Sequence, residues 1–461
     1  MTALDDTDIS PAPKPFYMKG NYAPVSEEVE AVDLPVTGSI PTELNGRFFR
    51  NGANPAEGVV PAHWFDGDGM LHGMRLRDGK AEWYKNRWVR TKLLAGAQRV
   101  DPETFEFDLS AGRANTHVIR HAGKIMALEE GSFPHEISPD LDTVGTMDFG
   151  GSLTTPFTAH PHVCAETGEM HFFGYELVSA PYATYYVADH AGQIIHTQPV
   201  ELPNPVMMHD FAISRNHAIF LDLPVVFDLD IALSRAGMPF CWRPDNGSRI
   251  GLIDRRKIGA GAAVEPRWFD IDSCYIFHIV NAWEEDDGNV VVLDAGRHES
   301  MWDGSPDSFE PCYLWRWRFD LRTGAVTEQQ LDDAEHAFPR IDDRRTGLAN
   351  EHGYAVTGRP GEPAITDAAT GVVKYDMSDG ASMFHDFGAG RSTSEPVFVP
   401  AHDEAGEDEG WVLSFVYDRA DRTSQFVVLD AGDIAADPVA SIAVPQRVPH
   451  GFHGSWIPDE Q

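Results

Sequence analysis

Short runs of apolar residues alternate with turn-forming residues along almost the whole chain from about residue 26 onward. In "HVIRHAGKIMALEE" and "TYYVADHAGQIIHTQPVEL", two such runs flank a turn that contains His-Ala-Gly. Two further pairs turn at Arg215-Asn216, in "HDFAISRNHAIFLDLP", and at Asp286-Asp287-Gly288, in "SCYIFHIVNAWEEDDGNVVVLDA". β-Branched and aromatic residues lie within the runs and Gly, Asp and Asn lie between them, which is typical of β-hairpins. The pattern therefore predicts an all-β chain of consecutive hairpins.

These hairpins recur about every fifty to sixty residues, which fits β-propeller blades of ~40–50 residues plus loops. We therefore predict a seven-bladed β-propeller that forms a single catalytic domain over residues 26–461, preceded by a polar, proline-containing arm over residues 1–25. An array of β-sandwiches is the alternative, because nothing in the Gly and Pro spacing excludes it. Helical patterns are scarce, and the best short candidates are "DIALSRAG" and "AGDIAAD".

Composition and charge limit the possible binding partners and the expected cellular compartment. Apolar residues make up 42% of the 461 residues, and 72 acidic residues oppose 36 basic ones, for a net charge of −36. The negative electrostatic field of such a protein repels nucleic acid and anionic lipid. The four cysteines show no Cys-x-x-Cys spacing, the first residues carry no secretory signal, and no apolar run reaches the ~18 residues of a membrane span. We therefore expect a cytoplasmic protein with reduced thiols.

Four of the 20 histidines stand out, because each is embedded in apolar residues at or near the end of a predicted strand. They are His160, His209, His278 and His453. Their separations of 49, 69 and 175 residues exclude a local zinc-finger site, but a propeller would place them on four blades that converge on one axis. Two alternatives remain from the residues alone: an axial metal site completed by the last strand, or four histidines with separate partners.

Nine motifs follow one another along the chain: "LNGRFFRNGANP", "HWFDGDGMLHGM", "ANTHVIRHAGKIMALEEGSFP", "TAHPHVCAETGEMHFFGY", "MMHDFAISRNHAIFLDLPVVF", "FHIVNAWEEDDGNVVVLDA", "FPRIDDRRTG", "SEPVFVP" and "GFHGSWIP". Together they resemble the carotenoid cleavage oxygenase family nearly end to end. The resemblance implies a seven-bladed propeller with loops and short helices capping one face over an axial Fe(II). It also implies that the four histidines named above are the iron ligands, and that His162 and His450 are not.

The resemblance further implies side chains that support the ligands. Glu130 in "ALEEG" and Glu395 in "TSEPVF" match family glutamates that accept the far N–H of a ligand imidazole and so fix its tautomer and direction. At a third such position this chain has Ala337, in "EHAFPRID", so that bond is either absent or made by Glu335 or a water. Thr116, in "ANTHV", matches a position that leans toward the open side of the iron, although by itself it is an ordinary strand threonine.

The activity implied by the resemblance is O2-dependent cleavage of a conjugated C=C bond into two carbonyl products. Family branches act on carotenoids and apocarotenals, or on phenolic stilbenes and phenylpropenes, and the phenolic branch has a lysine where this chain has Glu129. Because a glutamate repels a phenolate, we favour a carotenoid or apocarotenoid. A phenolic stilbene or phenylpropene is the alternative, and an isomerohydrolase-like use of the metal or a non-catalytic binding propeller are further ones.

One apolar run, "LPVVFDLDIALSRAGMPF", has two interpretations. We favour a buried strand and helix, since apolar stretches usually belong to the core. The alternative is a surface patch that makes weak peripheral contact with a membrane and draws hydrophobic substrate from it. "KIGAGAAVEP" contains Gly-x-Gly but no long following helix, so we expect a loop there rather than a dinucleotide site. The expected partners are therefore a hydrophobic small molecule and O2.

Overall fold

Seven antiparallel sheets of four to six strands surround one axis in the computed structural model, which describes residues 14–104, 106–234, 237–259, 263–304, 310–359, 364 and 369–459. Each sheet forms one blade, so the predicted seven-bladed β-propeller is confirmed and the sandwich alternative is not. Apolar side chains pack between neighbouring blades, as Phe220, Phe269 and Phe319 do in blades 4 and 5. The blades are numbered here in chain order.

Five blades have four strands each, with the first strand nearest the axis. Blade 2 consists of His117–His121, Lys124–Leu128, His135–Ile137 and Thr143–Thr146. Blade 3 consists of His162–Val163, Met170–Tyr175, Ala183–Ala188 and Ile194–Val200. Blade 4 consists of Ala212–Ile213, His217–Asp222, Arg249–Asp254 and Arg267–Asp270. Blade 5 consists of Tyr275–Glu285, Val290–His298, Cys312–Asp320 and Val326–Gln330. Blade 6 consists of His336–Arg340, His352–Thr357, Gly371–Asp376 and Ser382–Asp386.

The two remaining blades join the beginning of the chain to its end. Blade 1 consists of Glu30–Ala31, Gly46–Ala53, Gly69–Arg77, Lys80–Trp88 and Gly454–Pro458. Blade 7 consists of Val36–Gly38, Arg391–Thr393, Val397–Pro400, Gly410–Asp418, Thr423–Asp430 and Ala440–Val444. The last strand pairs with Gly46–Ala53, and Val36–Gly38 pairs with Ala440–Val444, so the ring is closed by two separate strand pairings.

Most predicted local structure agrees with the fold. The turns at Arg215-Asn216 and at Asp286-Asp287-Gly288 are present, and all three residues of the second have positive φ. "KIGAGAAVEP" lies partly outside the described residues. The short helices are Leu229–Ser234, which is α-helical, and the 3-10 turns Phe16–Met18, Gly20–Tyr22, Trp64–Asp66, Pro244–Asn246, Arg255–Lys257, Asp286–Gly288 and Asp343–Arg345. Among the described residues, no helix combines the length and the apolar character needed to cross a membrane.

The second predicted helix, "AGDIAAD", is wrong. Residues 432–435 form turns, and the N–H of Ala436 is bonded to the carbonyl oxygen of Asp433. Gly432 and Pro438 bracket only five residues, which is too few to offset the cost of helix nucleation. Ile434 is fully buried between blades 6 and 7. The apolar residue that suggested a helical face therefore packs between blades instead.

The apolar run over residues 223–240 is only partly in the core. Val225–Phe227 pairs with Phe240–Trp242 as a separate hairpin, and Val225 and Phe240 are buried as expected. The helix Leu229–Ser234 between them buries none of its residues, and Leu233 is 73% exposed. The prediction of a core helix is therefore wrong.

The start of the described chain packs on the propeller. Tyr17 and Tyr22 are buried in a cluster with Trp64 and Phe452, and the rings of Tyr22 and Trp64 lie 5.1 Å apart. Residues 1–13 lie outside the described residues. The division into an arm and a single catalytic domain stays a prediction.

Candidate metal centre

The four histidines singled out in the sequence come together on the propeller axis. His160, His209, His278 and His453 stand just before or within the innermost strands of blades 3, 4, 5 and 1. Their possible ligand nitrogens all lie within 4.8 Å of one another, and His160, His209 and His453 are buried. His162 and His450 lie outside this group: His162 Nε2 contacts the carbonyl oxygen of Phe211, and the His450 ring packs on Tyr22.

The spacing of the Nε2 atoms fits one metal ion. The distances are 3.0 Å from His160 to His209, 3.2 Å from His209 to His278 and 3.2 Å from His278 to His453. Adjacent nitrogens bound to one ion at ~2.1 Å lie about 3 Å apart, so these distances match neighbouring ligand positions. The ring centroids are 5.4 Å apart across one diagonal and 6.5 Å across the other, so the four rings do not form a flat square.

The protonation states suit a metal. Burial, followed by the neighbouring imidazoles, lowers the pKa of His160 and of His278 well below the ordinary value. Both rings are therefore neutral near pH 7, and a neutral imidazole has the lone pair that a metal needs. Four Nε2 lone pairs aimed at one another would repel, so the donor set fits a bound cation better than it fits an empty core.

Two of the four imidazoles are held by carboxylates. Nδ1 of His453 donates to Oε1 of Glu395 at 2.8 Å, and Nδ1 of His209 contacts Oε1 of Glu130. The other oxygen of Glu130 accepts from the hydroxyl of Tyr175 at 2.6 Å. These contacts place the proton on Nδ1 and leave the Nε2 lone pair directed at the axis.

Glu395 is the more deeply embedded of the two carboxylates. Its second oxygen accepts from the backbone N–H of Gly454 at 2.7 Å and from Nη1 of Arg340 at 3.1 Å. Burial would raise the pKa of Glu395, but Arg340 and His453 offset burial and lower it to about 2. The carboxylate is therefore ionised and ties the last strand to blades 6 and 7.

His278 has no such support among the described residues. Ala337, at the position of the third family glutamate, has no side-chain acceptor and is buried. At hydrogen-bond distance the His278 ring contacts His209 and His453 through Nε2, and no carboxylate contacts it within the described chain. Glu335 makes no hydrogen bond to His278 within the described chain either, so it does not replace the missing carboxylate.

Thr116 lines a cavity together with three of the four axial histidines. Its carbonyl oxygen accepts from the backbone N–H of His453 at 3.1 Å, and its hydroxyl donates to Oδ1 of Asn115 at 3.0 Å. The side-chain amide of Asn115 in turn donates to the carbonyl oxygens of Phe65 and Gly67, both at 2.7 Å. This chain of bonds fixes the wall of the cavity next to the ligands.

A cavity of about 300 Å³ opens on one side of the metal group. Aromatic and apolar side chains form much of its wall, and these include Trp64, Phe65, Met207, Phe277, Phe338 and Phe452. Thr116 and three of the axial histidines also line it. On the other side lies a second, more polar cavity of about 380 Å³, which is bordered by His117, Asp210, Arg340 and Glu395. The four axial histidines thus lie between an apolar cavity and a polar one.

Glu129 lies in the wall of the apolar cavity, but it is paired. Nη2 of Arg99 donates to its Oε1 at 2.6 Å, and the N–H of Gly131 donates to its Oε2 at 3.1 Å. Burial raises the pKa of Glu129, but Arg99 and the hydrogen bonds lower it by more, so the carboxylate is ionised. A Cβ on residue 131 would lie 2.3 Å from the guanidinium, so the backbone of Gly131 lies against Arg99.

Sequence reasoning missed several residues of this site. His117 is half-buried with its ring 5.2 Å from that of His453, and Nδ1 contacts the carbonyl oxygen of Ala159. His117 and Arg340 stand inside quoted motifs, "ANTHV" and "FPRID", so they could have been singled out. Arg99 stands outside every motif, and only the fold brings it to Glu129.

The comparisons with known proteins agree with this geometry. The family described as retinal pigment epithelial membrane protein matches residues 22–458. A carotenoid cleavage oxygenase of Mycobacterium tuberculosis is 36% identical, with 96% of this chain and 97% of that protein covered. The chain belongs to the carotenoid cleavage oxygenase family. The prediction of an oxygenase enzyme is confirmed, and a non-catalytic propeller of this family is not favoured.

Solved structures of carotenoid oxygenase relatives share the whole fold. Lignostilbene dioxygenase of Pseudomonas brassicacearum superposes with a TM-score of 0.85 at 29% identity, covering 97% of this chain and 100% of that one. The cobalt-substituted apocarotenoid oxygenase of Synechocystis superposes with a TM-score of 0.82 at 26% identity, covering 95% of this chain and 97% of that one. These two relatives act on different classes of substrate by name, so family membership alone does not choose between them.

Proposed function

We propose that this protein is a non-haem Fe(II) dioxygenase that cleaves a conjugated C=C bond of a carotenoid or apocarotenoid into two carbonyl products. The observation that carries the proposal is a set of four converging imidazoles, with neighbouring Nε2 atoms 3.0–3.2 Å apart, beside an apolar cavity that three of them line. When bound, iron would supply the activation of O2. Both oxygen atoms of O2 end in the products, one in each carbonyl group, so the reaction balances without another reductant.

The residues of this chain would hold the metal and place the substrate. His160, His209, His278 and His453 would be the ligands, and Glu130 and Glu395 would be positioning residues that keep two of them in the correct tautomer. Aromatic side chains such as Phe65 and Phe277 would hold a polyene by its flat faces and exclude water. The hydroxyl of Thr116, tied to Asn115, would limit the space next to the ligands.

The cavity favours an apocarotenoid over a full-length carotenoid. A volume of about 300 Å³ is at the low end of the range for ligand pockets. Among the residues that line the cavity, the groups that carry charge are Arg99, Glu129, Glu130 and Asp66, together with the four-histidine group when it holds a metal. Arg99 and Glu129 neutralise each other, so most of the wall suits an uncharged polyene.

A phenolic stilbene is the second candidate, and Arg99 is the observation that favours it. The sequence places a glutamate where the phenolic branch has a lysine, but the guanidinium of Arg99 lies beside that glutamate and lines the same cavity. Because Arg99 neutralises Glu129, the pair would not repel a phenolate as Glu129 alone would. The similarity to lignostilbene dioxygenase points in the same direction.

A substrate panel under labelled oxygen tests the proposal. Protein loaded with Fe(II) in the absence of O2 is mixed with apocarotenals, carotenoids, resveratrol or isoeugenol, and 18O2 is then admitted. We expect cleavage of at least one apocarotenal, with one labelled oxygen atom in each product. Cleavage of the phenolic compounds alone would favour the second candidate, and absence of cleavage by fully iron-loaded protein would contradict the proposed function.

Ligand variants test the metal centre independently of turnover. We expect His209→Ala and His453→Ala to purify folded but without stoichiometric iron, as measured by elemental analysis. His450→Ala is the matched control, because this histidine is three residues from His453 but packs on Tyr22 outside the group. Full iron content in either ligand variant would contradict the assignment.

We also propose a cytoplasmic location and weak peripheral contact with a membrane. The location is supported by the four cysteines, none of which forms a disulfide. The contact is supported by Leu229 and Leu233, which are 58% and 73% exposed on the helix beside the hairpin that carries Phe240 into the cavity wall. Because the net charge is −36, such contact would be with neutral rather than anionic lipid.

A further inference from the structure

The cavity contains one imidazole whose hydrogen-bonding groups are both unpaired. His336, the first residue of the inner strand of blade 6, lines the cavity and is 1% exposed. Neither Nδ1 nor Nε2 has a hydrogen-bond partner within the described part of the chain. Burial, with a contribution from His298, lowers the pKa of His336 to about 3. The ring is therefore neutral near pH 7 and offers one N–H donor and one lone pair.

Buried polar groups without a protein partner are usually bonded to an ordered water or a ligand. A buried polar group without a partner loses its hydration and gains nothing in return, and native structures contain few of them. The Arg99–Glu129 pair elsewhere in the cavity wall needs no ligand as a partner, because its two groups bond to each other. His336 is thus the point of the cavity at which a bound molecule would gain most from a hydrogen bond.

His298 and Cys312, which line the cavity beside His336, are polar but uncharged. Nδ1 of His298 contacts the carbonyl oxygen of Glu310 at 2.7 Å and so carries the proton, which leaves the His298 Nε2 as an acceptor. Burial raises the pKa of the Cys312 thiol, which is therefore protonated. A Cβ on residue 296 would lie 3.2 Å from Nε2 of His336 and 2.5 Å from Sγ of Cys312, so Gly296 leaves the space that these side chains occupy.

This polar region adjoins the metal group. His298 and His336 both lie close enough to His278 to lower its pKa. The ring of Phe338, two residues after His336, lies 5.4 Å from the His278 ring. Gly296, His298 and His336 line the same cavity as the axial histidines. A substrate with its double bond near the metal would therefore extend one end toward His336.

We propose that His336 binds a hydroxyl group of the substrate, so that the enzyme prefers a hydroxylated polyene or stilbene to the unsubstituted compound. The inference rests on the proposed function, since it concerns the substrate of that same cavity. A hydroxyl can accept from the N–H or donate to the lone pair, so it fits whichever nitrogen faces the cavity. A hydrocarbon end leaves both nitrogens unpaired, and a carboxylate would be costly to bury among uncharged groups.

Equilibrium binding in the absence of O2 tests this inference separately from catalysis. The ligands are two pairs that differ by one hydroxyl: an apocarotenal with and without a ring hydroxyl, and 4-hydroxystilbene with stilbene. Binding to the iron-loaded protein is followed by quenching of tryptophan fluorescence, since Trp64 lines the cavity. For at least one pair we expect the wild-type protein to bind the hydroxylated member about tenfold more tightly, and the pair that responds identifies the source of the hydroxyl.

Three variants assign the preference to His336. We expect His336→Leu to bind both members of the pair equally, and His336→Gln, which keeps a donor and an acceptor, to retain most of the preference. His385→Leu is the control for loss of a buried imidazole, because His385 bonds to the carbonyl oxygen of Ile434 and does not line the cavity. It should leave the preference unchanged.

Two results would overturn the inference: equal affinities of the wild-type protein for both members of each pair, or an unchanged preference in His336→Leu. If a variant fails to fold, which thermal unfolding would reveal, the wild-type comparison still tests whether the protein prefers the hydroxylated ligand. Absence of cleavage together with a hydroxyl preference in binding would instead count against the proposed function.

Discussion

Replacing Glu395 with glutamine would measure how one carboxylate supports both the fold and the metal centre. Glu395 is 2% exposed and accepts three hydrogen bonds, from Nδ1 of His453, the N–H of Gly454 and Nη1 of Arg340. Glutamine has the same shape but only one oxygen acceptor. Its NH2 group must therefore face at least one of these donors, and the charge that balances Arg340 is lost.

The size of the effect follows from the ionisation of Glu395. Arg340 and His453 outweigh burial and lower the pKa from 4.5 to about 2. A difference of this size between unfolded and folded chains corresponds to about 3 kcal/mol of folding free energy at pH 7. Because the folded-state pKa is the lower one, this stabilisation is complete above pH ~4.5 and decreases as the pH falls toward 2, to about 2 kcal/mol at pH 3.5.

Urea unfolding of the metal-free wild-type and Glu395→Gln proteins at pH 7 and pH 3.5 measures this difference. We expect the variant to be less stable by about 3 kcal/mol at pH 7 and by about 2 kcal/mol at pH 3.5. Iron affinity should fall 10- to 100-fold, in the usual range for residues that orient metal ligands. Glu129→Gln is the control, because it breaks the ion pair with Arg99 without touching a ligand histidine. A stability difference that does not change with pH, or an unchanged iron affinity, would refute the reasoning.

Three further changes test separate parts of the site. Glu129→Lys places an ammonium beside Arg99, so we expect a lower melting temperature with full iron content; iron loss by elemental analysis would show that residue 129 supports the metal after all. Ala337→Glu adds a carboxylate to the cavity wall near His278, and we expect about tenfold slower iron loss to a chelator, where an equal rate would contradict the assigned position. Leu233→Ser removes an exposed apolar side chain, and we expect weaker co-sedimentation with neutral lipid vesicles; unchanged co-sedimentation would argue against the proposed membrane contact.

The hairpins could be predicted from the sequence because their signals are local. A strand such as Val290–His298 is defined by its own apolar residues and by the turn that precedes it. The pairing of Gly454–Pro458 with Gly46–Ala53 joins residues about 400 positions apart, and no pattern of apolar residues specifies such a partner. Repetition of similar units suggested a ring, but the strand pairs that close it are seen only in the fold.

The ligand histidines were easier to find than the residues around the substrate. A histidine among apolar residues is unusual enough to be noticed, and the glutamates behind two of them stand in motifs. Arg99 is one of many charged residues in a polar stretch, and its role depends on a side chain 30 positions away. Similarly, nothing in "EHAFPRID" indicates that His336 is buried without partners, because burial depends on how blades 5 and 6 pack.

The geometry also explains how the centre tolerates Ala337. The two imidazoles that carboxylates support, His209 and His453, face each other across the longer diagonal of the group, with ring centroids 6.5 Å apart. His278 lies between them, and its Nε2 is 3.2 Å from each of theirs. Two fixed donors on opposite sides of a bound ion would leave its position largely determined, so the third imidazole needs less orientation from behind. The space that a glutamate would occupy can then belong to the substrate cavity, which Ala337 lines beside His336.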